Sequence, residues 1–217
     1  MGNGRLPAGM VMNTDSSDDQ LMRAFALGDT RAFEQLYARH RVALYRFVCR
    51  LLGHALAAQA DEVFQDTWER VVTARERWAP QGASFRTWLF TLAHHRVVDC
   101  LRKSGREVSV DAAPGDAWEP EGQAWADWPE PSFDDSDGSA ERAFWRAAGQ
   151  RLLSCLDELP LAQRTVFLLH HDDELSVDEL ASTIGLGFET AKSRLRYAMS
   201  KLRACMGAYL PPAVAAR

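Results

Sequence analysis

Residues 176–203 read SVDELASTIGLGFETAKSRLRYAMSKLR. Ser176-Val177-Asp178-Glu179 is a capping box: the serine hydroxyl satisfies an amide of the first helical turn, and the glutamate reaches back to the N-cap amide. The short helix it opens carries Leu180, Ala181 and Ile184, and Gly185 closes it in a turn conformation that other residues resist. After Leu186-Gly187 a longer helix follows, with Ala191, Leu195, Ala198 and Leu202 on one face. The rest of its surface holds Lys192, Ser193, Arg194, Arg196, Tyr197, Lys201 and Arg203, five of them basic, against the single acid Glu189. Two helices that cross at a small residue around a glycine turn, the second one basic, are the grammar of a helix-turn-helix. In that motif the second helix enters the major groove, where Arg and Lys neutralise phosphates or pair with guanine. The same spacing also fits a plain helical hairpin with a solvated basic face.

Upstream of this motif, Leu152, Leu156 and Leu159 keep a helical rhythm that Pro160 interrupts before Val166, Phe167 and Leu169. A second, separate module lies between Asp18 and Lys103. Leu21 and Phe25 begin it, and Phe33, Leu36, Tyr37, Leu44, Phe47, Val48 and Leu51 follow at intervals of three and four until Gly53, so one long amphipathic helix is predicted there. A further helix is predicted over 61–73, with Val63, Phe64, Thr67 and Val71 inward. Its outer side gathers Glu62, Asp66 and Glu69 at i, i+4 and i+7, bordered by Gln65 and Arg70. That acidic stripe suits a basic partner helix, or is simply a solvated face. Ser84 is the predicted N-cap of a third helix through Phe85, Leu89, Leu92 and Leu101 that ends in Arg102-Lys103. Its Phe85, Trp88 and Phe90, mixed with Arg86, His94, His95 and Arg96, suit stacking on unpaired bases and gripping their backbone; aromatics at this spacing also build cores.

Between the two modules, residues 105–147 contain eleven acids against three arginines, together with Pro114, Pro120, Pro129 and Pro131. This reads as an acidic, flexible linker. It holds Trp118, Trp125, Trp128 and Phe133, large aromatics that a mere spacer does not need. The chain's net charge of −5 is unpromising for a nucleic-acid binder, but the segment alone carries −8, which leaves +3 elsewhere. Residues 1–17 are read as a disordered leader and 207–217 as a tail. No apolar run approaches the roughly 18 residues of a membrane span, and no signal-peptide core is present, so a cytoplasmic chain without membrane insertion is expected.

The cysteines, Cys49, Cys100, Cys155 and Cys205, stand about fifty residues apart with no C-x-x-C pair, and are read as reduced core or semi-buried thiols; a redox or zinc-sensing role is the alternative. The adjacent pairs His94-His95 and His170-His171 point about 100° apart on a helix and make no chelate. No metal or other cofactor is expected. Nucleotide-binding, serine-hydrolase and zinc-protease motifs are absent, so no enzyme is expected either.

Taken together, DEVFQDTWERVV at 61–72 and FRTWLFTLAHHRVVDCLRK at 85–103 resemble the polymerase-binding and promoter-melting helices of extracytoplasmic-function sigma factors of the sigma-70 family. LDELPLAQRTVFLLHHDDELSVDELASTIGLGFETAKSRLRYAMSKLR at 156–203 resembles that family's −35-reading domain. The resemblance implies an all-α fold of two small helical domains, region 2 at 18–104 and region 4 at 148–206. It implies that Asp61, Glu62, Gln65, Asp66 and Trp68 dock on core RNA polymerase. It assigns to Trp78, Ser84, Phe85, Arg86, Trp88, His95 and Arg96 the capture and melting of the −10 element, with a flipped base held by the loop at about 78–84. It gives Glu189, Thr190, Lys192, Ser193, Arg194, Arg196 and Tyr197 the reading of the −35 element. The implied partners are core RNA polymerase, promoter DNA and an anti-sigma factor. Two other readings stay open: a stand-alone helix-turn-helix regulator, and a sigma-like adaptor that sequesters polymerase or an anti-sigma factor.

Overall fold

The computed structural model describes residues 16–79, 84–105, 139–171 and 175–209, and every regular element among them is helical. Helix α1 spans Asp18–Ala26 and opens with a capping box in which Ser17 Oγ accepts from Gln20 N and Gln20 Oε1 accepts from Ser17 N. Ser17 therefore belongs to the first helix, not to the leader. The chain breaks at Gly28, whose φ of +99° suits glycine, and Asp29 Oδ1 then caps helix α2, Thr30–Leu52, by accepting from Arg31 N. A 3₁₀ turn, His54–Gln59, leads into α3, Ala60–Ala74; Ser84 caps α4, Phe85–Lys103, as predicted. Leu36, Leu44, Phe47, Val48 and Leu51 of α2 meet Val63 and Val71 of α3 and Leu89, Phe90, Ala93 and Val97 of α4 in one core. The Phe47 and Phe90 rings meet edge-on, 5.2 Å apart.

The second module consists of α5 (Ser139–Asp157), α6 (Leu161–His171), α7 (Val177–Ile184) and α8 (Phe188–Met206), followed by a 3₁₀ turn at Gly207–Tyr209. Helix α5 starts inside the stretch expected to be linker. SAERAFWRAA at 139–148 is rich in strong helix formers, a local preference that the acids and prolines across the whole segment conceal. The capping box at Ser176 forms with both its bonds, and Gly185 ends α7 at φ +67° and ψ +34°. Ala191, Leu195, Ala198 and Leu202 of α8 are buried against α6 and α7 with Leu168, Leu169 and Leu180. At roughly 1.5–3 kcal/mol for each large apolar side chain removed from water, this face holds α8 in place. The linker's three tryptophans and Phe133 lie outside the described residues, as do most of the leader and the end of the tail.

One expectation is overturned. Cys155 and Cys205 are joined by a disulfide that ties α5 to α8 across 50 residues of sequence. Each cysteine sits in an apolar-periodic helix with no local partner, and only the tertiary packing of the first helix of the module on the last brings their Cα atoms to 5.9 Å. Cys49 and Cys100 remain free thiols, half-buried, and burial raises the pKa of both. No helix among the described residues is long and apolar enough to cross a membrane.

Candidate nucleic-acid interface

Helix α8 packs on α5, α6 and α7, and the side turned away from them carries its exposed residues. Glu189, Lys192 and Arg196 are exposed there with Thr190, and Ser193 and Tyr197 are half-buried beside them. Glu189, Lys192, Ser193 and Arg196 stand at i, i+3, i+4 and i+7, one continuous stripe. Lys192 Nζ lies 5.8 Å from the centre of the Phe188 ring, and the Arg196 guanidinium 5.7 Å from that of Tyr197, contacts that orient the cations while leaving them at the surface. Arg194 does not join them. It is only 5% exposed and points into the module, because its position falls on the flank of the apolar face rather than on the outward stripe.

In the first module, the aromatic residues expected at the melted strand form a connected group. The Trp78, Phe85 and Trp88 rings lie 5.9–6.5 Å from one another, and His40 of α2 sits 5.7 Å from Phe85. Trp78 and Trp88 are partly exposed, whereas Phe85 is fully buried and forms the floor beneath them. Residues 80–83 of the expected base-capturing loop lie outside the described residues. Helix α1 fastens this region: Asp19 Oδ1 accepts from Phe85 N at 2.8 Å, and Asp18 accepts from Arg39 at 2.8 Å and lies 2.6 Å from His40 Nε2. Those bonds, His40 first, hold the Asp18 carboxyl below the usual range despite its partial burial. Farther along α4, His95 is exposed while burial, with the neighbouring His95, brings the pKa of His94 down to about 4.

The acidic stripe of α3 is divided in its use. Asp66 is ion-paired with Arg96, which also lies 3.5 Å from Asp99, so the helix expected to bind polymerase and the helix expected to melt DNA share one charge contact. Asp61 accepts from the Tyr45 hydroxyl at 2.8 Å, and this bond is the main reason that the Tyr45 pKa is pushed up to about 12. Glu62, Gln65 and Glu69 are exposed on the outer side of the helix, whereas Asp66 is half-buried. Trp68 is 5% exposed: it packs among Phe33, Tyr37 and Phe64 and supports the face rather than forming it. Between α2 and α3 runs a groove of about 470 Å³ lined by Tyr37, Arg41, Val42, Tyr45, Asp61 and Gln65 among others. The α2 side of this groove goes beyond the sequence-based expectations. Tyr37, Arg41 and Tyr45 stand at i, i+4 and i+8, a visible signal, but Tyr37 also fits the core rhythm of α2 and is in fact 36% exposed. No group of three or more His, Cys, Asp or Glu side chains among the described residues is placed to hold a metal ion.

Comparison with known proteins assigns both modules. Residues 36–107 match the family described as Sigma-70 region 2, and residues 149–202 match Sigma-70, region 4. The chain is 32% identical over 195 residues to the ECF RNA polymerase sigma factor RpoE of Cereibacter sphaeroides, covering 88% of this chain and 97% of that one. It belongs to the ECF sigma factors of the sigma-70 family. Other relatives of this sigma factor include CarQ of Myxococcus xanthus, an RNA polymerase sigma factor 31% identical over 86% of this chain and 95% of that one. SigK of Mycolicibacterium vanbaalenii, an ECF RNA polymerase sigma factor, is 29% identical over 87% and 89%. Among solved structures, CnrH in complex with the cytosolic domain of CnrY aligns with a TM-score of 0.58 at 26% identity, over 88% of this chain and 98% of CnrH. The sigma factor RpoE of Bartonella quintana, solved with the anti-sigma factor NepR, shares the fold at a TM-score of 0.56 and 22% identity, over 81% and 96%. The all-α, two-module architecture read from the sequence is thus that of the family, and the chain is an RNA polymerase sigma factor, a subunit that directs promoter-specific transcription initiation.

Proposed function

We propose that this sigma factor divides its work among three surfaces. The α2–α3 face, with Asp61, Glu62 and Gln65 outward and Asp66 and Trp68 holding it together, docks on core polymerase. The Trp78–Phe85–Trp88 cluster, with Arg86, His95 and Arg96, receives the melted −10 strand, and Ser84 fixes the start of α4 beneath it. The stripe of Glu189, Thr190, Lys192, Ser193, Arg196 and Tyr197 reads the −35 element as duplex, while Arg194 stiffens the helix from within. The observation that carries this reading is the braced α8 with an outward stripe at helical spacing, in the same chain as a melting-type aromatic cluster.

The work is binding and not catalysis. A bound strand offsets an unstacking penalty of a few kcal/mol, which shifts the equilibrium toward open DNA without a bond being made or broken. The chain acts in the cytoplasm, where its polymerase is, and an anti-sigma factor covers its polymerase-binding face between uses. In support of that partner, CnrH, similar over nearly its whole length, was solved with the cytosolic domain of CnrY, and the RpoE of Bartonella quintana with an anti-sigma factor.

The test is reconstituted transcription from fragmented genomic DNA with sigma-free core polymerase, followed by sequencing of transcript 5′ ends. Chain-dependent starts that share two upstream motifs are expected. Core binding without starts would favour a sequestering adaptor, and duplex binding without any core binding would favour a stand-alone regulator.

A further inference from the structure

Leu195, Met199, Leu202 and Met206 of α8 are 5% exposed or less, whereas Phe188, the first residue of the same helix, is 41% exposed. Register alone does not account for the difference. Phe188 precedes Ala191 by three residues and Leu195 by seven, a spacing that borders the buried face. It stands, however, directly after the N-cap Gly187, so no earlier turn of its own helix covers the ring, and residues 187–190 are all exposed. The contact between the two modules lies elsewhere. Around the Gly53 turn, Asp157 Oδ2 accepts from His54 N at 3.0 Å and Arg164 Nη1 donates to Leu51 O at 3.3 Å, while α7 packs on α4. Phe188 also leads into the outward stripe. With Lys192 and Arg196 it stands at i, i+4 and i+8, and Lys192 holds its ammonium 5.8 Å from the centre of the ring.

We infer that Phe188 is a specificity-determining residue of the −35 contact: its ring packs against the C5-methyl group of a thymine in the major groove, and Lys192 beside it neutralises the adjoining phosphate. The inference rests on the assignment of α8 to the −35 duplex. In a helix-turn-helix the first residues of the second helix are the ones that reach base edges, and Phe188 is the first of α8. A phenyl ring has no donor or acceptor, so it cannot pair with the edge of guanine, adenine or cytosine. Set against such an edge, it would strip water from a polar group and give nothing back. Thymine alone presents a methyl group in the major groove, and apolar side chains are its natural partners there. The cation at the ring adds the second half of the contact. A lysine drawn to the phosphate backbone carries the aromatic group with it, so charge brings the ring into the groove and the methyl group decides where it rests.

The test uses the full-length chain assembled with core polymerase. Wild-type holoenzyme first selects from duplexes whose upstream segment is randomised, which defines the −35 motif. Each thymine of that motif is then replaced in turn by deoxyuridine, which pairs with adenine in the same way and lacks only the methyl group. Binding of the labelled duplexes is measured by fluorescence anisotropy at one fixed salt concentration, for wild type, F188A and F188L. Circular dichroism of each chain confirms that its helix content is retained. The expected result is one thymine whose replacement weakens wild-type binding about fourfold, the worth of one buried methyl group. That penalty disappears in F188A and persists in part in F188L, whose side chain is still apolar. A penalty of equal size in wild type and F188A overturns the inference, even if F188A binds every duplex more weakly, because the ring then acts through packing. So does a wild-type motif in which no thymine carries a penalty. Failure to select any upstream motif overturns the −35 assignment itself, and the inference with it, before any deoxyuridine is introduced.

Discussion

Reducing the Cys155–Cys205 bond isolates the contribution of one crosslink, because both sulfur atoms stay in the structure and only the covalent tie is lost. The bond closes a loop of 50 residues that contains all of α6 and α7. Chain-entropy arithmetic for a loop of that length gives about 4 kcal/mol removed from the stability of the second module at 25 °C. With a urea slope of about 2 kcal/mol per molar, the unfolding midpoint falls by about 2 M. The assay is equilibrium urea unfolding followed by circular dichroism with and without a phosphine reductant, with C155A/C205A as the reference that no reductant can alter. Cys155 is 1% exposed, so this reference also loses packing and lies below the reduced wild type. Cys49 and Cys100, with pKa values raised by burial, hold little thiolate and exchange slowly, so a single disulfide is expected in the intact mass. A midpoint insensitive to the reductant, or four alkylatable thiols in protein purified without it, would refute the reasoning.

Other outcomes follow from single side chains. Truncating Leu195, 1% exposed, to alanine costs about 2–5 kcal/mol and is read as loss of the urea transition of the second module at lower denaturant, with the first module's transition unmoved. Asp18 has a depressed folded pKa, so the stability it contributes is present above its unfolded value of 3.8 and disappears as the pH falls through the folded value; D18N should flatten the decline in urea midpoint between pH 5 and pH 3. The Tyr45 phenol, pushed up to about 12 chiefly by Asp61, should return toward an ordinary tyrosine in D61N, which alkaline titration of the phenolate absorbance measures. Replacing Lys192 and Arg196 with alanine should weaken −35 duplex binding and reduce the salt slope by about one unit for each phosphate no longer neutralised, seen in anisotropy titrations across a salt series.

Most of the helical frame is legible because local rules act within a few residues. Ser84 and Ser176 announce helix starts through their hydroxyls, Gly53 and Gly185 mark ends, and the spacing of Ala191, Leu195, Ala198 and Leu202 names the buried face of α8 directly. The features that escape reading depend on distance in sequence. Arg164 meets Leu51 O across 113 residues, and Cys155 meets Cys205 across 50; neither leaves a periodic trace. For the site, residue types are readable but depth is not. Trp68, Phe85 and Arg194 have the chemistry of contact residues, yet each sits where a helix flank turns inward, and a few tens of degrees about the helix axis decide between anchor and contact. The α2 wall of the groove escapes for the same reason, since Tyr37 lies at the border of the apolar stripe.

The Gly53 turn bears on protein engineering. Exchanging the −35 domain between sigma factors is an obvious route to orthogonal promoters, and this geometry sets a rule for such chimeras. A donor domain grafted after the linker must bring an acid and an arginine at the positions of Asp157 and Arg164, or the recipient's Gly53 turn loses both of its partners from the other module. A side chain at position 53 strains a backbone held at φ +70° and comes within 2.6 Å of Asp157 Oδ1 and 2.8 Å of Arg164 Nη1, so that pair must shift to admit it. Compatibility between halves thus depends in part on residues 53, 157 and 164, and a shuffled library screened on those three positions should yield compact hybrids at a higher frequency than one built on promoter-reading residues alone.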